Sequence, residues 1–136
     1  GLAPAIGICD ADDAILDELA RQRHPAHVVQ NWMDPFHQDR HVRERCGREG
    51  IQYQAYSTLG PQWVHFRGFR SNPVLDDPTL RRVAEESNCT VAQVVLQWAV
   101  RRGAAVLPAS RRPSRQQANL DSLRCRLAPG QLAAID

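Results

Sequence analysis

Gly50-Ile51-Gln52-Tyr53-Gln54-Ala55-Tyr56-Ser57-Thr58-Leu59-Gly60 decides the fold. Gly50 closes a helical pattern that runs from Gln38 to Arg48, the usual place for a residue free to turn left-handed. Ile51 to Ser57 reads as a strand, and Leu59-Gly60-Pro61 as a turn. Helix, tight link, strand and turn repeat on both sides of it. Upstream, His27 to Trp32 is a strand and Ala5 to Cys9 another. Between them Asp10 to Arg23 carries Ile15, Leu16, Leu19 and Ala20 at helical spacing. Its aspartates come first and its arginines last, an order that suits the helix dipole.

Downstream, Gln62 to Asp76 holds Trp63, Phe66 and Phe69 and reads as a long functional loop without regular structure. Asp77-Pro78 starts a helix that runs to about Ser87. Thr90-Val91-Ala92-Gln93 is a capping box that opens a further helix to Arg102, ended by Gly103. Ala104 to Ala109 is the fourth strand and Pro113 to Leu123 the next helix. Leu127 to Asp136 is a tail with one helical turn.

The order is βαβαβα(α)βα, which predicts an α/β fold with a parallel sheet. Four βα units are half of a TIM (β/α)8 barrel, with an extra helix before the last strand, since a whole barrel takes roughly 250 residues. Residues 1–136 are therefore expected to form an incomplete domain. It should have two open strand edges and an uncovered apolar face. A missing N-terminal half, or another protein chain, is expected to close it.

Composition excludes several classes. The chain is 43% apolar and 24% charged, with a net charge of +2. That balance gives no basic surface for nucleic acid or a membrane. No apolar run approaches the roughly 20 residues of a membrane span. Gly1 to Cys9 lacks the basic start and apolar core of a leader. All 17 basic residues are Arg, so a Schiff-base or P-loop lysine is ruled out. The wide spacing of Cys9, Cys46, Cys89 and Cys125 argues against a disulfide scaffold and for a reducing compartment, cytoplasmic or within an organelle. His24, His27, His37, His41 and Cys46 are too scattered for a zinc site and read as surface residues. Cys9 lies near a helix start, where a thiol can be activated, but no base stands by it.

Five stretches, taken in chain order, carry a resemblance. They are Ile6-Gly7-Ile8-Cys9-Asp10; Val29-Gln30, five residues before Pro35; and Gly50-Ile51 through Ala55-Tyr56-Ser57-Thr58-Leu59-Gly60. Then come Pro73 to Pro78 with Thr90 to Trp98, and Val106-Leu107-Pro108-Ala109-Ser110 with Arg115 and Asn119. Together they resemble the aldo-keto reductase family along nearly the whole chain, and correspond to its strands five to eight. The resemblance implies an oxidoreductase that uses NADPH to reduce a small aldehyde or ketone. It assigns Gln30 to the nicotinamide carboxamide and Tyr56 to stacking on the ring. Ser57 and Leu59 belong to the same cofactor set. Ser110, Arg115 and Asn119 fall to the 2′-phosphate and adenine.

The family's catalytic Asp, Tyr, Lys and His lie in the other half of its barrel, so no catalytic residue is expected in this chain. Its cofactor side departs from the family as well. The usual Ser-Asn pair is Cys9-Asp10, the lysine near the phosphate is Ala109, and His-Pro is Asp34-Pro35. Two readings follow. One is the C-terminal piece of a carbonyl reductase, inactive alone. The other is a non-catalytic half-barrel, a structural or docking subunit that uses the Trp63 loop as a contact.

Overall fold

Two strands set the frame. In a computed structural model, which describes residues 3–136, β2 (Val28–Trp32) and β3 (Gln52–Tyr56) pair in parallel, with Val29 opposite Tyr53 and Asn31 opposite Ala55. Residues 1 and 2, at the start of the expected domain and of the stretch read for a leader, lie outside the described residues. β1 (Gly7–Cys9) flanks β2, and β4 (Ala105–Val106) flanks β3, giving one parallel sheet in the order β1-β2-β3-β4.

Side chains alternate across a strand. Val29, Asn31, Tyr53 and Ala55 point to one face and are buried there. The helices pack on that face. α1 (Asp13–Arg21) and α2 (Arg40–Glu49) follow β1 and β2. α5 (Pro78–Glu86) and α6 (Val91–Arg101) precede β4, and α7 (Pro113–Asp121) follows it. α6 supplies the centre of the core with Val94, Val95, Trp98 and Ala99.

Local chemistry sets the helix ends. Asp12 accepts from the Ile15 amide at 3.0 Å and caps α1, and Asp77 accepts from Leu80 at 2.8 Å and caps α5. The capping box of α6 is present: Gln93 Oε1 accepts from the Thr90 amide at 3.0 Å, and Thr90 Oγ1 from the Gln93 amide at 3.2 Å. Asp39 precedes α2 but makes no such cap. Its Oδ2 accepts instead from Asn31 Nδ2 at 2.8 Å and from the Tyr53 hydroxyl at 2.7 Å, which ties the start of α2 to two strands. Arg45 on α2 crosses to Asp13 and Asp17 of α1 while holding Glu49.

Five expectations are corrected. The stretch 62–76 is not structureless: it contains two short helices, α3 (Pro61–His65) and α4 (Pro73–Asp76), the second capped by Asn72. The fourth strand pairs only over Ala105–Val106, because Pro108 has no amide proton to continue the ladder. α7 ends at Asp121 and gives way to a 3-10 turn, Ser122–Arg124. The tail forms a full helix, α8 (Pro129–Ile135), which buries Leu132 and Ile135. Finally, Cys89 and Cys125 form a disulfide, with Cα atoms 6.1 Å apart. That bridge removes the cysteine argument for a reducing compartment.

The uncovered sheet face also differs from the expected apolar one. It carries Cys9, Gln30, Gln52 and Gln54 beside Trp32 and Tyr56. β1 and β4 are its edges among the described residues.

Gly60 is the sharpest local demand. Its φ is 78°, and a Cβ there would overlap Asn72 and Val74. Gly60→Ala is expected to cost about 2–3 kcal/mol through strain and overpacking. A urea denaturation midpoint measures it, and an unchanged midpoint would show that the turn relaxes freely.

Candidate functional site at the strand ends

The C-terminal ends of β1, β2 and β3 bring a small polar group together. After β1 the chain turns through Asp10, whose φ is 51°, and its amide donates to the Gln30 carbonyl at 3.1 Å. The turn lays the Asp10 carboxylate toward β3, where Oδ1 accepts from the Tyr56 hydroxyl at 2.7 Å. Burial, then the Asp10 hydrogen bond, push the Tyr56 hydroxyl up to about 12. Gln30 Nε2 donates to Gln54 Oε1 at 3.1 Å across the β2–β3 pairing. Among the described residues, one Nε2 hydrogen and the Oε1 acceptor of Gln30 have no partner, the complement of a carboxamide. Cys9 is exposed beside them.

Ser57 and Leu59 continue from Tyr56 into a cavity of about 290 Å³, closed by Leu96, Leu107, Pro108 and Ala109. Pro108 also borders a neighbouring cavity of about 300 Å³ lined by Asn119. Ser110 turns away from both. Its Oγ accepts from the Arg112 amide at 3.1 Å, and its carbonyl accepts from Gln116 Nε2 at 2.8 Å, so it shapes the start of α7. Arg115 is exposed on α7, four residues before Asn119 and so on the same helix face. Of the residues singled out in the sequence, Gln30 and Tyr56 form one group, and Ser57 and Leu59 a second with Ala109. Asn119 adjoins the second group, and Arg115 stands outside.

The sequence reading missed the role of Asp34. This carboxylate has no exposed surface, yet four donors converge on it. Trp32 Nε1 and Trp63 Nε1 both reach Oδ2 at 2.8 Å. The amides of Phe36 and His37 reach Oδ1 at 2.8 and 2.9 Å. Burial raises its pKa, against the lowering pull of those four bonds. Around it Trp32 stacks on His37 at 4.2 Å, and Trp63 meets Trp32 and Phe69 edge-on at 5.2 and 5.4 Å. The Arg67 guanidinium sits 5.7 Å over Trp32. An Asp-Pro just after a strand that ends in Trp32 was the available signal. It was read only as a departure from a family pattern.

Comparison with known proteins fits this geometry. The family model described as "Aldo/keto reductase family" matches residues 1–136. Deoxymugineic acid synthase 1 of Oryza sativa subsp. japonica is 37% identical over 122 residues, which is 89% of this chain and 37% of that protein. A probable NAD(P)H-dependent D-xylose reductase of Emericella nidulans is 35% identical over 141 residues, 99% of this chain and 44% of the relative. A crystal structure of a Gox0644 mutant in complex with NADPH superposes with a TM-score of 0.82 at 28% identity, covering 96% of this chain and 45% of that one. The chain thus spans less than half the length of the proteins it matches.

Two outcomes test the site. Tyrosine ionisation followed by ultraviolet absorbance should show one group titrating near 12, and Asp10→Asn should bring it down. Because the folded value lies above the unfolded one, the stability Tyr56 contributes is complete below the ordinary tyrosine range. It fades as pH rises through about 12. Asp34→Asn turns an acceptor into a donor among four donors. It should lower stability by about 2–3 kcal/mol in urea and shift tryptophan emission. An unshifted spectrum would mean that the indoles do not depend on Asp34.

Proposed function

Because the chain belongs to the aldo/keto reductase family, we propose that it is the cofactor-facing half of a (β/α)8 oxidoreductase barrel that reduces a small carbonyl substrate with NADPH. The observation that carries this reading is that Gln30, held by Gln54, and Tyr56, two residues beyond Gln54 and held by Asp10, share the uncovered sheet face on adjacent strands. A flat half-buried ring beside a fixed amide suits a nicotinamide. The cavity of Ser57, Leu59 and Ala109 leads from there toward Asn119, the direction a dinucleotide needs to extend. NADPH would supply the hydride.

The chain's own residues then have defined tasks. Gln30 holds the carboxamide with its free donor and acceptor, and Tyr56 supports the ring. Asp10 fixes the Tyr56 hydroxyl and keeps one oxygen as an acceptor for the carboxamide nitrogen. Arg115 and Asn119 take the adenosine phosphate end, while Ser110 holds the start of α7 beside them. Arg115 swings in from solvent to do so, since Ala109 offers no charge. The Trp63 segment, anchored on Asp34, covers the strand ends and excludes water. No lysine exists in the chain, so protonation of the substrate oxygen falls to a complementary N-terminal half, in the same polypeptide or in another chain. Alone, this half binds cofactor and does not turn over.

A second reading rests on the exposed aromatics Phe36, Phe66 and Phe69 beside Arg67 and Arg70, with Phe66 79% exposed. They suit a non-catalytic subunit that docks through the Trp63 segment.

Titration with NADPH, read by the quenching of tryptophan fluorescence, decides between them. Saturable binding is expected, weakened about tenfold by Gln30→Ala, the worth of one strong hydrogen bond. Absence of saturation would remove Gln30, Tyr56 and Arg115 from the site and favour the docking subunit.

A further inference from the structure

We infer that Asp10 makes the site discriminate between the two oxidation states of its cofactor, holding the cationic oxidised nicotinamide more tightly than the neutral reduced one. This role for Asp10 rests on the cofactor reading above and adds a charge to it. Tyr56 is the last residue of β3, opposite Trp32, and shares the uncovered face with Gln30. The Asp10 carboxylate touches it, Oδ1 accepting from the Tyr56 hydroxyl at 2.7 Å. A ring that rests on Tyr56 therefore sits beside a negative charge. The backbone that carries this charge is pinned. The Asp10 amide donates to the Gln30 carbonyl at 3.1 Å, in a left-handed turn with φ 51°. No salt bridge neutralises Asp10 among the described residues. A cation on the same rim, Arg67, lies over the Trp32 indole instead.

Loss of a hydride to a carbonyl carbon, whose oxygen then takes a proton from a general acid, turns a neutral nicotinamide into a cation. A fixed carboxylate favours the cationic side of that exchange. Stacked rings lie roughly 4.5–7 Å apart, centre to centre. A unit charge at such a distance from a cation is worth about tenfold in an equilibrium constant where the surroundings are part water. The asparagine usual in the family at this position would contact the carboxamide without that preference. Asp10 thus strengthens the reduced cofactor as a hydride donor.

Isothermal titration of the full chain with NADP+ and with NADPH, at low ionic strength, reads the effect as the ratio of the two dissociation constants. Contacts common to both forms cancel in that ratio. Asp10→Asn keeps a residue suited to the left-handed turn and an oxygen for the Tyr56 hydroxyl. It should remove about tenfold of the preference for NADP+ over NADPH. Added salt should shrink the preference of the unaltered chain toward that of Asp10→Asn, since screening acts on charge. A ratio indifferent both to Asp10→Asn and to salt overturns this role and leaves the cofactor reading standing. Failure of both forms to bind overturns the cofactor reading, and this role with it.

Discussion

A carboxylate with no access to water must be surrounded by donors or not be there at all. Asp34 meets that condition with two indole and two backbone N–H groups. Each oxygen serves a different purpose. One shapes the turn after β2 through Phe36 and His37. The other clamps Trp63, 29 residues later in the chain, against Trp32 at the sheet. Without that clamp α3 has five residues and no buried side chain to hold it. The hold of the Trp63 segment on the sheet therefore rests on one acid whose burial is itself unfavourable.

Much of the fold was legible because its signals are local. The capping box at Thr90 and Gln93, the acid-first order at Asp12 and Asp13, and the left-handed Gly50 all specify element ends within a few residues. Strand identity followed from short apolar runs. Features fixed by distant partners were not legible. Nothing near Cys89 announces Cys125, 36 residues away. α3 and α4 are too short to show a helical period. The three glutamines of β2 and β3 alternate with buried residues, and the alternation was outweighed by the apolar average of the run.

The candidate site divides the same way. The family resemblance pointed to Gln30, Tyr56 and Ser57. It said nothing of the Asp10–Tyr56 bond, which needs the left-handed turn at Asp10 to bring two strands' ends together. Nor did it foresee that Ser110 would be spent on the start of α7, or that Arg115 would face solvent. Side-chain direction came only with the packing.

The glutamines on the uncovered face have a consequence for how such a protein is made. Edge strands beside a greasy surface invite chains to stack on one another during synthesis. Here Gln30 and Gln54 satisfy each other, and Gln52 bonds the Tyr53 carbonyl at 2.8 Å. Water therefore wets this surface at little cost. Stacking on such a face gains little. Any element that covered this face would have to strip that hydration and bring its own hydrogen-bond partners.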